Sequence, residues 1–178
     1  TFDRVSHFMP LDHIYISTNV DYLPLVYEQL PQVDDEHILE EPLRRGTLAS
    51  VAWSTVVVAK RDPQACLFVT PADQIVTGET LYQQDIAAAL AFAARKEGIL
   101  VTGIAPTRPE TGYGYIQGGE AVADGILAVR AFKEKPSLDV AVQYLADGGY
   151  FWNSGLFLWE AKTAEAGLRR FQPEIADK

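Results

Sequence analysis

Apolar positions in the first 104 residues alternate between short continuous runs, typical of strands, and longer stripes at helical spacing. Thr47 is placed as the cap of a helix with apolar residues on one stripe, which Asp62-Pro63 ends. The clearest stripe predicts a helix over residues 79–97, followed by Gly98. A shorter helix is predicted near 22–29, and strands over 13–17, 38–40, 66–69 and 99–104.

After residue 104 the pattern changes to strand-like segments with few helices between them. Ser137 is placed at the start of a short helix ending at Gly148-Gly149, and another helix is predicted from Ala161. Strands are predicted over 113–116, 126–132 and 150–159. Helices alternating with strands, then a strand-rich half, indicate an α/β layered sheet with mixed strand directions.

Composition narrows the class of protein. The 178 residues suit one domain, and 48% hydrophobic with 22% charged residues is typical of folded globular proteins. The net charge of −9 argues against a nucleic acid polymer as partner, because tracking phosphates requires clustered cations. No apolar stretch is long enough for a membrane span and no signal peptide is evident, so a cytoplasmic location is expected. Cys66, the single cysteine, is interpreted as a buried thiol.

Two segments could bind phosphate or metal. Asp73 lies four positions after the apolar run 66–69, and a carboxylate just past the carboxyl end of a buried strand is well placed to bind Mg²⁺. A turn-capping role would give the same spacing. Residues 40–47 run from a strand through a loop with Arg44 and Arg45 into a helix, whose N-terminus favours anions. A solvated basic turn is the alternative.

Three further segments combine glycine, charge and aromatic residues. Glycines flank Tyr113 in residues 111–115, which fits close approach of backbone to a ligand or a tight turn. Residues 132–136 end a strand with charges of both signs, suiting a sugar phosphate or plain solvent exposure. Residues 153–155 place an amide and a hydroxyl inside an aromatic strand, where both require hydrogen-bond partners. Hydrogen bonds within the protein core and contacts to a ligand would explain these polar residues equally well.

The order of these segments resembles one family. Read along the chain, E-P-x-x-R-x-T, T-P-A-D, G-I-x-P-T-x-P-E-T-G-Y-G-Y-I, F-x-E-K-P and W-N-S-G-x-F resemble the mannose-1-phosphate guanylyltransferases. The resemblance runs from about Asp12 to Phe157, and its most specific parts are residues 103–116 and 152–157.

The resemblance implies a three-layer, Rossmann-like mixed β-sheet of the nucleotide-diphospho-sugar transferase type. It implies transfer of a guanylyl group from GTP to mannose 1-phosphate with Mg²⁺ as cofactor, giving GDP-mannose and pyrophosphate. Thr1 is not an initiator residue, and the family's glycine-rich triphosphate loop and second metal aspartate are not found in the chain. We therefore expect residues 1–178 to be a partial domain, truncated at both ends and incomplete at the N-terminus. Such a domain is expected to be inactive alone, and a homodimer is left open.

Site residues also follow from the resemblance. Asp73 matches a Mg²⁺ carboxylate that is also catalytic, and Lys135 matches a catalytic contact to the sugar phosphate. The remaining matches are substrate-binding: Glu41, Pro42, Arg45 and Thr47 beside the guanine, and Gly114, Glu134 and Asn153 at the sugar.

Two departures affect the implied activity. Gly46 stands where the family has Asn, so the resemblance does not fix which base is bound. Gln74 stands where the family has His, directly after the metal-binding Asp. A thymidylyl- or uridylyltransferase acting on another sugar 1-phosphate is therefore an alternative. A non-catalytic sugar-nucleotide-binding domain is a second alternative, although the retained site residues argue against full degeneration.

Overall fold

The computed structural model describes residues 1–41, 43–96 and 98–176, with the backbone alone for 175–176. Pro42 therefore lies outside the described residues. The strands are β1 Ile16–Asn19, β2 Ile38–Glu41, β3 Cys66–Val69, β4 Leu100–Ile104, β5 Tyr115–Ala123, β6 Ile126–Lys133 and β7 Tyr150–Glu160. The α-helices are α1 Phe2–Ser6, α2 Leu23–Gln29, α3 Thr47–Arg61, α4 Glu79–Ala93, α5 Leu138–Asp147, α6 Ala161–Phe171 and α7 Pro173–Ala176. Within the described ranges, no helix combines the length and apolar character needed to span a membrane.

The strands form two sheets. β1 and β2 pair in parallel, whereas β3, β4, β5 and β6 join β7 in a five-stranded antiparallel sheet. β7 lies at its centre, because Trp152 pairs with both Ile104 and Tyr115, and Leu158 pairs with both Phe68 and Leu100. β4 thus follows one edge of β7, and β3 and β5 share the other. The expectation that the chain combines parallel and antiparallel strands is confirmed, with the two directions in separate sheets of the described residues.

Helices cover both faces of the β3–β7 pair, and the side chains of these strands, which point alternately to the two faces, pack against helices on each side. Leu67 and Trp159 are buried on one face, beneath apolar residues of α3 and α6. The neighbouring residue, Phe68, points to the opposite face and meets the ring of Tyr82 on α4 at 6.4 Å between centroids. The three-layer arrangement expected from the resemblance is confirmed here. A second core cluster forms where α5 packs on β5 and β7.

A cleft of about 870 Å³ separates the two sheets. Strand residues of β1 and β3 line it, together with residues of α1, α2 and α3. In the described part of the chain, β1 pairs only with β2 and β3 only with β7, so each has one edge without a ladder partner. The cleft also reaches Thr47, Pro71, Ala72 and Gly155. It therefore runs between the loop before α3 and the turn after β3.

Several predicted boundaries differ from the structure. Thr47 is not the cap but the first residue of α3, and Gly46 occupies the N-cap position. The predicted helix 79–97 ends at Ala93, because the amides of Arg95 and Lys96 both donate to the Phe92 carbonyl in a tightened last turn. The strand predicted at 13–17 begins at residue 16, after a short 3₁₀ turn over 11–13. The strand predicted at 113–116 begins at residue 115 and continues to 123.

Candidate active site

Gly114, Glu134 and Asn153 lie together although they are distant in sequence. The backbone amide of Asn153 donates a 2.8 Å hydrogen bond to the Gly114 carbonyl. A methyl group on Gly114 would lie 3.2 Å from Glu134 Oε2 and 3.1 Å from the Phe132 ring. The absence of a side chain at Gly114 therefore lets the Glu134 carboxylate approach the backbone. The three residues predicted to bind the sugar therefore lie close together in the fold.

Lys135 extends this group. Its Nζ lies 3.5 Å from Glu134 Oε1, and both side chains are 64% exposed. Lys135 also has φ of 35°, the only positive value at a non-glycine residue within the described chain. Such conformations cost on the order of 1–3 kcal/mol and occur preferentially at functional sites. The backbone thus turns sharply where β6 ends, and it places a cation and a carboxylate side by side.

The loop before Gly114 is braced from within. Glu110 accepts a 2.9 Å bond from the Gly112 amide and pairs with Arg108 at 3.0 Å. The Gly112 amide, followed by Arg108, lowers the pKa of the Glu110 carboxyl. The Arg108 guanidinium lies 5.3 Å from the ring centroid of Trp152, the residue before Asn153. In the sequence motif of residues 103–116, Glu110 is a specified residue without a predicted role and Arg108 stands at an unspecified position, so their part in the loop becomes visible only in these contacts.

Asp73 lies in the turn after β3, where its side chain is exposed. The residues around it contact the segment that carries Asn153: Gln74 Nε2 donates to the Ser154 carbonyl, and Pro71 Cγ lies 3.4 Å from the Cβ position of Gly155. The structure therefore places the turn that carries Asp73 against the segment of β7 that carries Asn153.

Asp73 alone does not form a closed metal site. Within the described residues, no group of three or more His, Cys, Asp or Glu side chains could hold a metal ion. Mg²⁺ is commonly bound through one or two carboxylates, with phosphate oxygens and water completing its shell. An exposed carboxylate at the end of a strand fits that role, as one protein ligand of an ion carried by a phosphate.

The predicted base-binding residues lie near the two-stranded sheet. Glu41 Oε1 accepts a 3.0 Å bond from Ser17, Arg45 is exposed, and Thr47 lines the cleft. None of the hydrogen bonds or ion pairs in the described structure joins these three to Gly114, Glu134 or Asn153. Pro42, predicted for the same loop, is outside the described residues. The cleft reaches from Thr47 to Pro71 and Ala72, the residues directly before Asp73, and to Gly155.

Gly46 determines the shape of that loop. Its φ of 84° and ψ of 171° fall in a region that essentially only glycine occupies. An asparagine at this position would be strained, although no atom within 4 Å would obstruct its Cβ. At position 46, where the family pattern has asparagine, the glycine therefore adopts a backbone conformation that an asparagine would not readily adopt.

The fold and this arrangement define a class of protein, and comparison with known sequences identifies it. The sequence model described as "Nucleotidyl transferase" matches residues 8–178, so the chain belongs to the nucleotidyl transferase family.

Curated relatives make the resemblance to mannose-1-phosphate guanylyltransferases firm. The chain is 42% identical to the xanthan biosynthesis protein XanB of Xanthomonas campestris pv. campestris, over 91% of this chain and 34% of that protein. It is 40% identical to the mannose-1-phosphate guanylyltransferase of Sinorhizobium fredii, over 98% of this chain and 35% of that protein. The chain thus spans about a third of the length of these relatives.

Solved structures agree with the fold. A crystal structure described as a mannose-1-phosphate geranyltransferase from Thermus thermophilus superimposes with a TM-score of 0.89 at 30% identity, covering 99% of this chain and 50% of that one. A mannose-6-phosphate isomerase from Helicobacter pylori gives a TM-score of 0.84 at 27% identity, covering 99% of this chain and 66% of that one.

Proposed function

We propose that the protein transfers a guanylyl group from GTP to mannose 1-phosphate, giving GDP-mannose and pyrophosphate. The observation that carries the proposal is the contact group of Gly114, Glu134, Lys135 and Asn153 beside the Asp73 turn. The names of the relatives support the choice of base and sugar. The reaction is proposed for the protein at its full natural length and in the cytoplasm.

Each residue of the group has a chemically distinct task in this proposal. The Glu134 carboxylate accepts hydrogen bonds from sugar hydroxyls, and the Lys135 ammonium neutralises the sugar phosphate. The side-chain oxygen of Asn153 already accepts a 3.1 Å bond from the Gly155 amide, so its NH₂ group is the part that donates to the sugar. Together these contacts would orient the sugar phosphate for in-line attack on the α-phosphorus of GTP.

Mg²⁺ would be held by Asp73 together with phosphate oxygens. When bound, it would neutralise charge that develops on the triphosphate as the pyrophosphate leaves. Glu41, Arg45 and Thr47 are proposed to bind the guanine at the other end of the cleft, and Pro42, which lies outside the described residues, is proposed as a base contact from the resemblance alone.

A second candidate is a thymidylyl- or uridylyltransferase, and the Gly46 backbone favours it. Base recognition depends on fixed donors and acceptors, and this loop follows a path that an asparagine would not adopt without strain. A panel of GTP, dTTP, UTP, ATP and CTP with mannose 1-phosphate separates the two candidates. We expect GTP to give the highest kcat/KM, and a preference for dTTP or UTP would favour the second.

Substitution of Lys135 tests the proposed sugar-phosphate contact. A charge-assisted hydrogen bond is worth on the order of 1.5–3 kcal/mol, so Lys135→Ala should weaken mannose 1-phosphate binding roughly tenfold to a hundredfold. The affinity for GTP should change by less than about threefold, since GTP does not contact this cation in the proposed arrangement. Titration calorimetry on the full-length protein measures both affinities.

Lys133→Ala is the matched control, because it removes the same charge from an exposed position two residues earlier in β6. It should leave both affinities within about twofold of the wild type. Unchanged affinity of Lys135→Ala for mannose 1-phosphate would show that Lys135 is only a solvated charge at the end of the strand.

A further inference from the structure

The turn that carries Asp73 is held by backbone-directed hydrogen bonds on both sides of that residue. Before it, Thr1 Oγ1 donates a 2.9 Å bond to the Ala72 carbonyl. After it, the buried Arg4 donates a 3.1 Å bond from Nη1 to the Gln74 carbonyl. These bonds fix the backbone at both neighbours of Asp73 and leave its exposed carboxylate unobstructed.

The Gln74 side chain connects this turn to β7. Its Nε2 donates to the Ser154 carbonyl across 80 positions of sequence. Gln74 is itself half-buried, which shields the bond from competing water. Pro71, at the start of the same turn, lies beside Gly155, with its Cγ 3.4 Å from the place a Cβ of Gly155 would take. The Gln74 hydrogen bond therefore joins the turn to the middle of β7.

The accepting carbonyl of Ser154 lies where β7 departs from regular strand geometry, directly before Gly155. Ser154 Oγ donates a 2.7 Å bond to the Thr102 carbonyl and accepts a 3.2 Å bond from the Leu156 amide. Gly155 has φ of 74°, and its amide donates to Asn153 Oδ1. The carbonyl that Gln74 contacts is thus fixed in the same short segment that orients the Asn153 side chain.

We propose that Gln74 is a positioning residue, which sets the location of Asp73 relative to Asn153 and thereby aligns a phosphate-bound divalent cation with the sugar. The proposal rests on the proposed function and names a residue to which that function alone assigns no role. The side-chain amide is the element that matters, because an N–H donor must reach the Ser154 carbonyl. A histidine could supply such a donor from its ring, whereas alanine or an ionised carboxylate could not.

The test compares three variants of the full-length protein. Gln74→Ala removes the donor, Gln74→His offers a ring donor, and Gln143→Ala is the matched control. Gln143 also loses an amide hydrogen bond in that variant, but its partner is Asp147 within the exposed face of α5. Mg²⁺ affinity is measured by calorimetry in the presence of GTP, and amide hydrogen exchange is followed in peptides covering residues 70–76 and 152–157.

In Gln74→Ala, exchange over residues 70–76 should rise, and Mg²⁺ affinity should fall about threefold to tenfold, the equivalent of one hydrogen bond. Gln74→His should restore at least half of the lost affinity, and Gln143→Ala should match the wild type in both measurements. Faster exchange with unchanged Mg²⁺ affinity would overturn the proposal, because Gln74 would then only support the fold. Unchanged exchange in Gln74→Ala would overturn it as well.

The proposed function and the role of Gln74 fail separately. If the wild-type protein transfers no guanylyl group to mannose 1-phosphate, the proposed function is wrong. The exchange measurement still decides in that case whether Gln74 holds the turn, since it requires neither nucleotide nor sugar, and the metal titration is then carried out with the nucleoside triphosphate that the nucleotide panel identifies as substrate.

Discussion

Adding one methyl group at Gly114 perturbs the candidate sugar site directly. The Cβ of Gly114→Ala would lie 3.1 Å from Cε1 and Cζ of Phe132 and 3.2 Å from Glu134 Oε2. Gly114 is not among the glycines with positive φ, so alanine is compatible with its backbone. The methyl group would therefore be accommodated by movement of these two side chains.

The structure indicates how the cost divides between stability and binding. Phe132 is 47% exposed and the Glu134 side chain 64% exposed, so both can turn towards solvent. An off-rotamer adjustment of this kind costs about 0.5–1.5 kcal/mol, and the free energy of unfolding should fall by no more than that. A displaced Glu134 carboxylate loses hydrogen bonds worth on the order of 1.5–3 kcal/mol to the sugar, which raises the KM for mannose 1-phosphate roughly tenfold to a hundredfold.

Steady-state kinetics of the full-length protein, with each substrate varied in turn, measure this effect beside urea unfolding. Gly167→Ala is the control, because Gly167 lies inside α6 and nothing within 4 Å would meet its Cβ. Alanine there should raise the free energy of unfolding by about 0.5–1 kcal/mol and leave both KM values unchanged. A wild-type KM for mannose 1-phosphate in Gly114→Ala, or a rise in the KM for GTP alone, would show that the Glu134 carboxylate near Gly114 does not bind the sugar.

Two further substitutions test the surroundings of the site. Gly103→Ala should lower the free energy of unfolding by about 1–3 kcal/mol in urea titrations, because its Cβ would lie 2.7 Å from Cβ of Phe151 and the β4–β7 pair would have to separate. A loss of stability no greater than that of Gly114→Ala would contradict this prediction. Glu110→Gln should be less stable than the wild type at neutral pH. Since the folded pKa of Glu110 is lowered, its contribution is present above the ordinary carboxyl pKa of about 4.3 and is lost as the pH falls towards the folded value. The two proteins should therefore converge in stability at low pH, and a difference independent of pH would exclude the charge as its cause.

Much of the fold follows from short-range sequence pattern. The strand at Cys66–Val69 has the bounds that its apolar run predicts, and the helix after Gly46 ends at Arg61, directly before Asp62-Pro63 as predicted. These elements are predictable because alternation and helical periodicity are properties of neighbouring residues, which bury one face or both. Their ends are less predictable: α4 stops at Ala93 because of a tightened hydrogen-bond turn rather than a change in hydrophobicity.

The family was likewise determined by sequence alone, because the order of five short motifs is specific even where each motif is weak. The tertiary structure alone decided which residues meet. The bond from Asn153 to Gly114, the approach of Glu134 to Gly114, and the bond from Gln74 to Ser154 all join distant segments. These contacts depend on strand register and on the bend at Gly155, which the packing of all three layers fixes together. Local pattern determines which face a residue presents, whereas a hydrogen-bond partner from another strand is settled only when the sheet has assembled.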